Sequence, residues 1–152
     1  MARIQSPSSP RWELDLVAYS PLRNELLALE CKSYLDSGGV PAAHFQSGSK
    51  YAHRYKLFHD DVLRETVLGR LQRQFASCGL CGPDTAVRIG LIHAHATAYN
   101  AALLQELFAR EGWLLYGPDW LHGHLEGMAG GSYENSVAAV VAKLLLRRKS
   151  AA

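Results

Sequence analysis

Asp15, Glu30 and Lys32 have the residue types and the spacing to do chemistry. Glu30 and Lys32 fall in LALECKSYLD, residues 27–36, an apolar stretch that reads as a strand. Alternation puts Leu27, Leu29 and Cys31 on one face, with Cys31 a small buried residue on the core side. Ala28, Glu30 and Lys32 fall on the other face. Upstream, RWELDLVAY at 11–19 alternates too, and SPLRNE at 20–25 is a turn with Pro21 in a favoured position. Pairing Ser20 with Glu25 across that turn sets the register of a hairpin. Tyr19 then faces Leu26, Val17 faces Ala28, Asp15 faces Glu30 and Glu13 faces Lys32. Side chains directly opposite have Cβ atoms about 5 Å apart. Two like charges that close destabilise a sheet unless a cation lies between them. Carboxylate oxygens suit a hard ion such as Mg²⁺, which takes one or two of them and keeps several waters. In phosphodiester hydrolysis such an ion polarises the phosphoryl oxygen and activates water. A neighbouring lysine orients the water or stabilises the developing charge. An acidic-x-Lys triplet arises about once by chance in a chain of this size. Its strand context and the facing Asp15 give it meaning. Without them it is an ordinary surface pair.

Other residues offer further or competing chemistry. KYAHRYK, residues 50–56, interleaves Lys50, Arg54 and Lys56 with Tyr51 and Tyr55. Cations hold phosphates and tyrosines stack on bases, so Lys50, Tyr51, Arg54 and Lys56 are candidate nucleic-acid contacts. A solvated helix face gives the same pattern. HAH at 93–95 and HGH at 122–124 form two His-x-His pairs, which with Asp119 suit zinc. His93 and His95 could instead contact substrate phosphate if their strand ends near the hairpin. Cys78 and Cys81 form a lone CxxC at a helix end, where two small residues in a closing turn explain it. GGVPAAHFQSGSK lacks the strand and helix that flank a phosphate-binding loop.

These groups need elements to position them. Residues 1–10 are Ser/Pro-rich and read as a flexible segment, and 11–149 read as one domain. Strands are expected at 11–19 and 25–33. The segment 36–50 is Gly/Ser/Pro-rich and reads as a mobile loop near a ligand. A long helix is expected at 56–77, with Leu63, Val67, Leu68, Leu71 and Phe75 inward. TAVRIGLIHAHA, 85–96, is a buried strand, 98–111 a helix stopped by Gly112, and 113–116 a short strand. That strand–helix–strand run is a βαβ unit with parallel strands. GPDW leads into a short helical stretch, and GGS at 130–132 breaks it. A last helix at 133–148 has Val137, Val140, Val141, Leu144 and Leu145 as its buried face, with Arg147, Arg148 and Lys149 at its C-terminus. The fold class is α/β, a mixed sheet with an antiparallel hairpin and a βαβ unit, helices on both faces.

Asp15, fourteen residues, then Glu30-Cys31-Lys32 resembles the PD-(D/E)xK, or restriction-endonuclease-like, nuclease superfamily. Its members put the Asp on one strand of a hairpin and the (D/E)xK on the next, followed by a helix and a further strand. The resemblance covers roughly residues 11–96. It implies Asp15 and Glu30 as metal ligands, a metal contact from the Cys31 backbone carbonyl, and Lys32 as the catalytic lysine. It also implies Mg²⁺ as cofactor, with Mn²⁺ able to substitute, and a possible homodimer. Glu13 is a possible supporting residue. Leu14 stands where members often have Pro, and only ten residues precede Arg11, where members usually have a helix.

The chain has 152 residues, 48% hydrophobic and 20% charged, enough to bury a core. A net charge of +2 permits nucleic acid without requiring it. No apolar run approaches the roughly 20 residues that span a bilayer. Three cysteines and no apolar leader suit a reducing, cytoplasmic setting. The expectation is a metal-dependent nuclease acting on nucleic acid, with DNA favoured. The alternatives are a non-catalytic nucleic-acid-binding or assembly protein on the same fold, and a zinc hydrolase using the His-x-His pairs.

Overall fold

The computed structural model describes residues 13–132 and 136–146. Strand β1 (Leu16–Ser20) and strand β2 (Glu25–Lys32) form the expected hairpin. Its register is the one the four-residue turn dictates: Ser20 pairs with Glu25, Tyr19 with Leu26 and Val17 with Ala28. The ladder starts at Leu16, so Glu13 and Asp15 precede β1 and do not lie within it. Residues 11 and 12 of the expected strand lie outside the described residues.

After β2 come the short helix α1 (Lys56–His59), helix α2 (Asp61–Ser77) and strand β3 (Ala86–His93). Helix α3 (Ala98–Glu111), strand β4 (Leu114–Tyr116) and helices α4 (Pro118–Gly130) and α5 (Val137–Leu146) complete the chain. The four strands form one mixed sheet in sequence order, with β1–β2 antiparallel and β2–β3 and β3–β4 parallel. No described helix is long and apolar enough to cross a membrane.

The long helix expected at 56–77 is broken at Asp60. Its extended backbone ends α1, and its carboxylate accepts from the Leu63 amide at 2.9 Å to start α2. Helix α3 starts at Thr97, whose hydroxyl accepts from Asn100, and stops at Gly112 in the left-handed conformation. Leu71 packs with Leu26 and Ala28 of β2, while Leu104 and Phe108 of α3 pack with Ile89 and Leu91 of β3. These core groups lie on the sheet face that carries Ala28, so α1, α2 and α3 pack on that face. The cause is topological. Right-handed crossovers that advance in one direction leave both helices on the same side.

Segment 36–50 is not a loose loop. Val40, Ala42 and Phe45 are buried, and residues Ala42–Phe45 form a 3₁₀ turn. The Ala42 amide donates to the Asn100 side chain, and the Val40 amide donates to the His95 carbonyl. Gly39 bridges Ala96 at φ 80°, where a Cβ would stand 2.6 Å from the Ala96 Cα. Only glycine fits that approach. Cys31 is exposed, against the expectation of burial, because β2 outruns β1 at that end.

The stretch after GPDW is a full helix of 13 residues, opened by Pro118 at its first position. The five residues expected to bury the last helix are all exposed. Ala139 and Ala142 are the buried side, packed toward α4. A small-residue face lets two helices approach closely, which leaves the larger side chains outside. The expected ends of this helix, 133–135 and 147–148, lie outside the described residues, as does Lys149.

Candidate active site

Parallel strands β2 and β3 end together at Lys32 and His93, with β4 ending nearby at Tyr116. β1 runs the other way, so the residues that precede it come to the same edge. The C-terminal edge of a parallel sheet is where such folds gather functional groups. Here Asp15, Glu30 and Lys32 converge. Lys32 Nζ donates to Glu30 Oε2 at 3.0 Å and lies 3.5 Å from Asp15 Oδ2. The ammonium contacts both carboxylates, so these oxygens are no further apart than those two distances laid end to end. Glu30 is the most enclosed of the three, with 17% of its side chain exposed, and Asp15 the most open, with 39%.

Asp15 Oδ2 also accepts from the Cys31 amide at 2.8 Å. The side chain thereby extends the ladder where β1 has run out. The Lys32 carbonyl accepts from the Ala94 amide on the β3 side. Backbone groups alternate along a strand, so the Cys31 carbonyl turns to the β1 side, where Asp15 lies. Two carboxylates and one carbonyl at an open sheet edge fit a hard divalent ion that keeps several waters. Among the described residues no three His, Cys, Asp or Glu side chains form a metal cluster.

Partial burial works against the Lys32 ammonium, but the Glu30 hydrogen bond and charge, with the Asp15 charge, outweigh it and raise its pKa. Lys32 is therefore a cation at neutral pH and does not act as a base. Burial and the Asp15 charge push the Cys31 thiol up, away from thiolate.

Tyrosine rings flank one side of the site. The Lys32 ammonium sits 6.0 Å from the centre of the buried Tyr55 ring. The Tyr55 hydroxyl contacts the Tyr34 hydroxyl at 3.5 Å, and burial followed by that contact raises the Tyr55 pKa. Tyr34 has φ 42°, an uncommon conformation for a tyrosine, two residues beyond Lys32. Glu30 and Arg54 both act electrostatically on Tyr55, so the acidic centre and the basic stretch meet there.

In the basic stretch, Lys50 Nζ and Arg54 Cζ lie 5.0 and 5.4 Å from the Tyr51 ring centre, and the His44 ring lies 4.2 Å from it. The stretch is a 3₁₀ turn at Ala52–Arg54, not the start of a helix, so these groups cluster instead of spreading along one helix face. Lys56 lies on α1 and faces another depression, with His53, His59 and Asp60. Sequence reasoning missed Tyr34 and His44. Neither a left-handed tyrosine nor a histidine in a Gly/Ser-rich segment carries a sequence signal.

Glu13 is exposed, and Lys32 pairs with Glu30 and Asp15, not with it. His93 is 2% exposed at the end of β3, in register with Lys32, and its Nδ1 has no hydrogen-bond partner among the described residues. Gly117 leaves the room: a Cβ there would stand 3.3 Å from His93 Nε2. His95 lies beyond the strand end. His122 and His124 sit two apart on α4, so their rings diverge. His122 faces Glu126, while His124 stacks on Trp120. The two His-x-His pairs therefore do not build one zinc site.

No family model, no curated protein and no solved structure matches the chain.

Proposed function

We propose that this protein is a divalent-metal-dependent nuclease with a restriction-endonuclease-like fold, hydrolysing phosphodiester bonds of DNA. The observation that carries the reading is the meeting of Asp15 and Glu30 around Lys32 at the end of a hairpin. Asp15, Glu30 and the Cys31 carbonyl would hold the ion, Mg²⁺ with Mn²⁺ as a substitute. The bound ion would polarise the phosphoryl oxygen and lower the pKa of water. An ammonium has three N–H groups. Lys32 spends two on Glu30 and Asp15 and offers the third to the attacking water or the phosphoryl oxygen. Tyr55 keeps the ammonium at the edge of a dry wall, where its charge is less screened. Lys50 and Arg54, gathered on Tyr51, meet the substrate backbone.

Mg²⁺-dependent nicking of plasmid DNA tests this, comparing the natural chain with Lys32→Ala and Asp15→Ala. Loss of nicking in both variants supports the assignment. Undiminished nicking in both removes it. One observation favours a second reading, a nucleic-acid-binding protein without catalysis. Lys32 and the Cys31 amide already satisfy Asp15, so the cluster is charge-paired without an ion. DNA binding with no cleavage under any divalent ion would select that reading.

A further inference from the structure

Tyr116, Trp120 and His124 form a column of rings that the proposed chemistry leaves unused. Their spacing of four carries the column from the end of β4 along one face of α4. The Tyr116 and Trp120 ring centres are 4.7 Å apart. Those of Trp120 and His124 are 5.3 Å apart, with the rings within 6° of parallel. Trp120 and His124 are both exposed. Beside His124 lies a depression of about 420 Å³, with Gly123, Gly127 and Met128 in its lining. A Cβ at either glycine would meet nothing within 4 Å among the described residues, so a flat ring has room there.

The column begins at the candidate active site. Gly117, which starts α4, stands against His93, and His93 pairs with Lys32. Tyr116 pairs with Ile92, and Ile92 with Cys31. Two strand spacings, about 10 Å, therefore separate Tyr116 from the Cys31 backbone. Alternation puts Tyr116 on the face opposite Lys32. A strand held at Lys32 must round the end of the sheet to reach the rings. A duplex is too stiff for that turn, and its bases are already paired and stacked. An unpaired strand bends, and its bases are free to stack on aromatic side chains. Helix α4 carries Asp119 and Glu126 and no Lys or Arg, so it offers a strand its rings and not phosphate contacts. We propose that Trp120 and His124 stack unpaired bases, and that the substrate is DNA with a single strand on one side of the cut. This rests on the nuclease reading and names the class of its substrate.

Anisotropy titrations of the full chain in EDTA test the stacking. The probes are a labelled oligothymidylate of about 12 nucleotides, a blunt hairpin duplex, and an abasic strand with the same phosphates. The natural chain is expected to bind the oligothymidylate about tenfold or more tightly than either of the others. Trp120→Ala should weaken that binding about 5- to 100-fold with the salt slope unchanged, because no phosphate contact is lost. Trp120→Phe should keep most of it, and circular dichroism should show all three proteins equally folded. Neither variant should change binding of the duplex or the abasic strand. No divalent ion takes part, so failure here is distinct from failure of the nuclease reading, which plasmid nicking decides. Duplex bound as tightly as oligothymidylate by the natural chain would overturn the proposal. So would Trp120→Ala binding oligothymidylate at the natural affinity, or losing as much affinity for the abasic strand.

Discussion

Replacing Lys32 with Met separates the ammonium from the rest of the site. Met keeps much of the apolar stem beside Tyr55 and removes only the charge. The ammonium lies 3.0 Å from Glu30 and 3.5 Å from Asp15. Each contact is worth about 1 kcal/mol in a water-like medium and more where water is excluded. The side chains of Lys32, Glu30 and Asp15 are 24, 17 and 39% exposed, so screening and side-chain ordering offset much of that gain. The loss also leaves two carboxylates facing each other. The expected net cost is about 1–2 kcal/mol, or about 3–6 °C in Tm for a domain of this size. Mn²⁺ should raise Tm more in the variant than in the natural chain, because no ammonium competes for the carboxylates. Cleavage should fall about 10²–10³-fold, the usual cost of one electrostatic donor. Thermal unfolding with and without Mn²⁺, beside plasmid nicking, measures both quantities. Cleavage at the natural rate would refute the role of Lys32. A Tm that Mn²⁺ leaves unmoved in both proteins would refute the role of the carboxylates.

Gly39→Ala should cost about 2–3 kcal/mol in denaturant unfolding, since φ is positive and the new Cβ meets the Ala96 backbone at 2.6 Å. Burial lowers the pKa of His93 and, with the Arg54 and Lys50 charges, that of His44. The unfolded chain therefore binds more protons below about pH 6.5, and Tm should fall as pH drops from 7 to 5, less steeply in His93→Gln. The raised Lys32 pKa acts at the other limit: its contribution is complete below about pH 10.4 and is lost only as pH rises through the folded value. Arg54→Ala should weaken DNA binding alike across sequences and reduce the salt slope by about 1 in anisotropy titrations.

The hairpin was legible because turn length and alternation together fix which residues face each other. The pairs from Val17–Ala28 to Ser20–Glu25 follow from SPLRNE, while Asp15 lies just before the ladder and reaches β2 through its side chain. The βαβ unit was legible for a similar reason, with Gly112 marking the end of α3. What was not legible depends on contacts distant in sequence. Val40, Ala42 and Phe45 look like loop residues until Asn100 and His95 hold them in the core. Periodicity found the stripe on α5 but could not say whether anything covers it. The alanines on the other side decided the packing, because they let α4 come close. Tyr34 entered the site through a backbone conformation that tyrosine rarely adopts, and His93 through the gap left by Gly117.

The central claim is that Asp15 and Glu30 share one divalent ion beside Lys32. Anomalous diffraction from crystals grown with Mn²⁺ tests it most directly. One strong peak is expected, bounded by the two carboxylates and the Cys31 carbonyl and absent in Glu30→Gln crystals. A site empty of Mn²⁺ in crystals of a preparation that cleaves DNA with Mn²⁺, or a peak held by other residues, would contradict it.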